Sequence, residues 1–109
     1  MSVLEVETYV VKAEKREAFT PALEEFLRFK EANPDLFAGV RSWSLHRQEY
    51  GGISGLYAEI WEFDDLAAME SISKRISADE TMSRICGGFH ELVDPATVST
   101  SVWRPVASS

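Results

Sequence analysis

Residues 56–66 read LYAEIWEFDDL, and this stretch decides the fold. Leu56, Ala58 and Ile60 share one parity, and Tyr57, Glu59 and Trp61 share the other. Alternation of this kind through residue 63, rich in aromatic side chains, predicts a strand. Asp64 or Asp65 then offers a side-chain acceptor to the free N–H groups that open a helix. Leu66, Met69, Ile72 and Ile76 continue as an apolar stripe at helical spacing. A strand running directly into a capped helix is half of a strand-helix-strand unit.

The other elements follow from this one. Before it, residues 49–55 carry Gly51, Gly52 and Gly55 and read as a hairpin loop. Residues 39–48, GVRSWSLHRQ, form the preceding strand. Upstream, residues 3–11 read VLEVETYVV, with Leu4, Val6, Thr8 and Val10 on one face and Glu5, Glu7 and Tyr9 on the other. Residues 14–32 change period: Phe19, Leu23, Phe26, Leu27 and Lys30 fall at helical spacing. Pro21 is tolerable only near the first turn, so this helix starts near Glu17 or bends there. Asn33-Pro34 stops it. Downstream, Ser77-Ala78-Asp79-Glu80 has capping-box spacing and marks a break. Met82, Ile85, Cys86 and Phe89 begin a second helical piece, Asp94-Pro95 ends it, and residues 98–104 form the last strand.

The order is β-α-β-β-α-β over residues 1–109, a single α+β domain with a ferredoxin-like sandwich. Two helices cover one face of a four-stranded antiparallel sheet. The reading leaves the opposite face to Glu5, Glu7, Tyr9, Trp43, Tyr57, Glu59, Trp61 and Trp103. These include all 3 tryptophans of the chain. So much aromatic area calls for a cover, while the carboxylates resist a dry one. A second copy of the chain is the expected cover. A partly wet cavity lined by these side chains is the expected site, for a small hydrophobic or aromatic ligand.

The bulk composition narrows the partners. The 109 residues carry 18 acidic and 11 basic side chains, a net charge of −7. That balance repels a phosphate backbone, and the scattered basic residues form no stripe for nucleic acid or an anionic membrane. No apolar run approaches the ~20 residues needed to span a bilayer. The start, Met1-Ser2-Val3-Leu4-Glu5, lacks the charged and apolar regions of a signal peptide. Cys86 is the only cysteine, so no disulfide forms within the chain. A cytoplasmic protein is the expectation.

Within the aromatic face, Glu7 and Glu59 are the candidate catalytic residues. The expected strand order puts them close, and crowding raises a carboxylate pKa toward the range of a general base or acid. Arg41 and Arg47, on the parity of Trp43, could neutralise them, and Arg41 could meet a ligand. Tyr9, Trp43, Tyr57, Trp61 and Trp103 are the candidate walls. Cys86 and His90 lie four apart on one helix face, but two ligands do not close a metal site, so no metal is expected. Gly87-Gly88 could admit a ligand or a neighbouring chain close to the backbone. The loop 51–55 lacks phosphate-loop spacing, and no nucleophile elbow is present.

The pattern resembles the dimeric α+β barrel superfamily. Three stretches carry the resemblance: Val10-Val11-Lys12-Ala13-Glu14-Lys15-Arg16-Glu17-Ala18-Phe19, then Ile60-Trp61-Glu62-Phe63-Asp64-Asp65-Leu66, and the helix-break-helix with its final strand. The second stretch most resembles the antibiotic-biosynthesis-monooxygenase-like and NIPSNAP-like branches. The resemblance implies two sheets paired face to face around a cavity, hence a homodimer. It also implies oxygenases that need no metal or flavin, and haem-degrading relatives, which use an asparagine on the first strand, a later tryptophan and, in the haem degraders, a helical histidine. Trp61 matches the tryptophan and His90 loosely the histidine, which adds His90 to the candidate ligand contacts. The asparagine is absent: Asn33, the only one, sits at a helix end. No cofactor is therefore expected. The leading reading is a ligand-binding dimer. A cofactor-independent oxygenase or isomerase is the alternative, and a structural dimerisation module is the third.

Overall fold

A computed structural model describes residues 2–108. The elements run β1 (Val3–Val10), a 3-10 turn (Ala13–Lys15), α1 (Arg16–Ala32), β2 (Ser42–Arg47), β3 (Leu56–Phe63), α2 (Leu66–Ser77), α3 (Glu80–Leu92), a second 3-10 turn (Pro95–Thr97) and β4 (Ser99–Trp103). The strands form one antiparallel sheet in the order β2-β3-β1-β4. This is the ferredoxin-like sandwich expected, with the second helix divided in two. No helix among the described residues is long and apolar enough to cross a membrane.

Local chemistry sets the boundaries. Asp65 caps α2 by accepting the Ala68 N–H at 2.7 Å. The break between α2 and α3 comes at Ala78, but its cap differs from the expected Ser77–Glu80 box. Asp79 accepts the Met82 N–H at 2.9 Å, while the Ser77 hydroxyl turns back to the Lys74 carbonyl. Pro21 lies inside α1, which starts at Arg16. The loop from α1 to β2 closes at Gly39, whose φ of +94° suits glycine. A Cβ at Gly39 would stand 2.6 Å from Ile72 Cδ1. Arg75 on α2 fastens this loop by donating to the carbonyls of Leu36 and Ala38.

The helices cover the opposite sheet face from the one expected. Val3, Tyr9, Val11 and Phe63 are all buried, and they share the parity of Glu5, Glu7, Glu59 and Trp61. Phe26 of α1 packs on Trp43 and Trp61, with ring centroids 5.3 and 6.1 Å away. Ile72, Ile76, Met82 and Ile85 complete the core on the same side. The physical reason is volume. Two helices joined by a short break leave a deep layer to fill, and indole and phenyl rings fill it where Leu4, Val6 and Ile60 would not. Leu4, Val6, Val10, Leu56, Ala58 and Ile60 lie on the face that no helix covers.

Trp103 departs from its expected group. It pairs with Leu4 across the β1–β4 ladder, so it stands on the uncovered face and is 60% exposed.

Candidate functional site

The antiparallel register of β1 and β3 places Glu7 directly opposite Glu59, and Glu5 opposite Trp61. All four side chains therefore point from the sheet toward the helices. There they line a half-open cavity of about 410 Å³ within one chain, between the sheet and the helices. Tyr9, Trp43 and Phe26 form part of its walls, and Cys86 and Phe89 of α3 line the helix side. The exposed side chains of Ser77, Ser83 and His90 stand at its mouth. The cavity was expected between two sheets of a dimer. It lies instead inside the protomer, because the aromatic face is the helix-covered one.

Glu59 is the centre of the polar network. Its Oε1 accepts the Tyr9 hydroxyl at 3.2 Å, and its Oε2 accepts the Trp61 indole N–H at 2.7 Å. Both donors are neutral. Burial raises the Glu59 pKa above the ordinary 4.5; the Trp61 donor opposes this, Glu7 across the ladder adds to it, and the Tyr9 and Trp43 donors oppose it. Trp43 Nε1 acts from a position that completes no hydrogen bond: it is buried and without a partner. Burial and the Glu59 charge also raise Glu5, and burial with Glu59 and Glu7 raises the Cys86 thiol. The Tyr9 phenol is pushed far up by burial, then by Glu59, so it donates and does not ionise. Glu7 accepts the Thr100 hydroxyl at 3.3 Å.

The expected neutralising arginines are elsewhere. Arg41 pairs with Asp64 at 2.9 Å, and Arg47 approaches Glu49 at 3.9 Å, both at the exposed surface. Arg41 therefore does not line the cavity. It stands just before β2 and turns toward Asp64, ahead of α2.

Tyr57 does not line this cavity either. It shares the covered face but sits behind Tyr9, stacked on it at 6.2 Å and tilted on Phe19 at 4.7 Å. It also lines a second, more open pocket of about 570 Å³ beside the 51–55 loop. Of the candidate wall residues, Tyr9, Trp43, Trp61 and His90 line the cavity, with Glu7 and Glu59. Tyr57, Trp103 and Arg41 do not.

The residues that sequence reasoning missed come from the helices: Leu23, Phe26, Ser73 and Phe89. One signal was available. Val3, Val11 and Phe63 bracket the acidic-aromatic parity at the strand ends, and such residues belong in a core. Gly87 and Gly88 stay within α3, and nothing stands within 4 Å of where their Cβ atoms would lie. Among the described residues, no three or more His, Cys, Asp or Glu side chains gather as metal ligands.

No protein-family model matches the sequence, and no curated protein matches it. Solved structures match over nearly the whole chain. A NIPSNAP family protein from Agrobacterium tumefaciens superposes with a TM-score of 0.75 at 18% identity, covering 99% of this chain and 91% of that one. An antibiotic biosynthesis monooxygenase gives 0.70 at 15% identity, covering 96% and 99%. Rv0793 from Mycobacterium tuberculosis gives 0.69 at 16% identity, covering 100% and 99%. At such identities the likeness is one of fold. The chain shares the ferredoxin-like fold of this NIPSNAP family protein and this antibiotic biosynthesis monooxygenase.

Proposed function

We propose that the protein binds a small, largely apolar molecule in the cavity between its sheet and helices, with Glu59 as the polar anchor. The observation that carries this reading is a cavity of about 410 Å³ with aromatic walls and a carboxylate that no basic side chain neutralises. Its size lies in the range of small-molecule pockets, and a few convergent polar groups in an apolar lining give such pockets their selectivity. The test is a cavity-filling variant. Cys86→Trp places a large ring into the space. Titration calorimetry with a panel of small aromatic compounds should find binders for the wild type that Cys86→Trp no longer takes. A binder held equally well by both proteins places binding outside this cavity.

The same reading includes a homodimer. Leu4, Val6, Val10, Leu56, Ala58 and Ile60 give the sheet an uncovered apolar face, and a second copy offers a matching one. Ile60→Lys should then halve the mass measured by light scattering and leave ligand binding in place. An unchanged mass removes the sheet face as the contact.

One observation favours a second, catalytic reading. Glu59 has a raised pKa and faces an apolar cavity without a cation, which suits a general base toward a bound carbon or oxygen acid. That is the role a cofactor-independent oxygenase or isomerase would require. Mass spectrometry of any compound found to bind, after incubation with the protein, tests it. Conversion should occur in the wild type and cease in Glu59→Gln.

A further inference from the structure

We infer that the cavity selects an organic cation: an amine or quaternary ammonium group carried on an aromatic body. This rests on the reading of the cavity as a binding site and names the chemical class it takes.

The charge lining is one-sided. Glu5, Glu7 and Glu59 all reach the cavity, and neither lysine nor arginine does. The arginines nearest in sequence to its β2 wall are engaged with Asp64 and Glu49 at the surface. What holds Glu59 is a pair of neutral donors, Tyr9 and Trp61, which orient its carboxylate but bring no positive charge. Interactions between charges strengthen as water is excluded, so a bound anion meets repulsion from three carboxylates and a bound cation offsets it. Burial opposes the ionisation of these carboxyls. It raises both Glu5 and Glu59, and a cationic guest would return these groups to their charged forms.

The walls complete the specification. Trp43 and Trp61 line the cavity with their planes at 75° and centroids 6.4 Å apart, and the Phe26 ring stands against both. Tilted rings around one space give a cation ring faces as well as carboxylates. Attraction of a cation to an indole face is the established basis for holding quaternary ammonium groups.

The experiment compares three probes of nearly one shape on the full chain by solution NMR: phenethyltrimethylammonium, its neutral carbon isostere (3,3-dimethylbutyl)benzene, and 3-phenylpropionate. The cation should bind at least tenfold more tightly than the isostere, the anion should be weakest, and the preference should collapse in Glu59→Gln. The wild-type ranking stands as a test even if that variant does not fold. An isostere that binds as well as the cation overturns the charge selection and leaves the cavity reading intact. No shift of cavity resonances with any probe at millimolar concentration overturns both.

Discussion

Glu59 shows what a single residue contributes when its neighbours are neutral. Its raised pKa means that the folded chain holds the proton more tightly than the unfolded chain. The contribution to stability is therefore fully present below the unfolded value and is lost as pH rises through the folded one. Exposed Glu62 runs the other way: Ser42 and Ser2 lower its pKa, so its contribution is lost as pH falls through the folded value. Comparison with Glu59→Gln isolates the first effect. Between pH 7 and pH 4.5 the melting temperature of the wild type should gain on that of the variant as pH falls, followed by circular dichroism. A constant difference would show that Glu59 titrates normally. The pairing of Glu7 with Glu59 was legible in the sequence, since period two and strand order are enough to set two carboxylates side by side. Which face they share was not. Leu4, Val6 and Val10 are more hydrophobic than Glu5, Glu7 and Tyr9 opposite, so alternation on β1 points the helices to the wrong side.

At the scale of elements, the sequence is explicit where short-range chemistry decides. β3 occupies Leu56–Phe63 as its alternation requires, and Asp65 caps the helix that follows. The break in the second helical segment was also readable, but its cap was assigned to Ser77 when Asp79 performs the role. Asp, Ser and Glu within four residues offer more than one competent acceptor, and tertiary packing of Met82 and Ile85 chooses among them. Asp79→Ala should cost about 0.5–2 kcal/mol in urea unfolding, the usual value of a lost N-cap. No measurable change would mean that Ser77 substitutes for it. The helix residues that line the cavity were not legible as site residues. Phe26 and Phe89 occur at ordinary core spacing, and a wall of a cavity looks the same as a packed core until the missing volume is seen.

For the whole molecule, the inverted sheet changes what holds the protein together. Trp61 packs on Phe26 and Phe37 inside the protomer. Trp61→Ala should destabilise by about 3–5 kcal/mol, and the loss should be the same at every protein concentration. A concentration-dependent loss would return Trp61 to a subunit contact. In the proposed dimer, concentration matters instead at the uncovered face around Ile60. The distribution of the tryptophans carries one more consequence. Trp43 and Trp61 border the cavity, whereas Trp103 stands 60% exposed on the far side of the sheet. Indole emission shifts to the blue in apolar surroundings and to the red in water, so the two environments separate in one spectrum. A guest in the cavity should quench the blue component alone, and a second chain on the sheet face should move the red one, which makes the protein its own two-channel optical sensor.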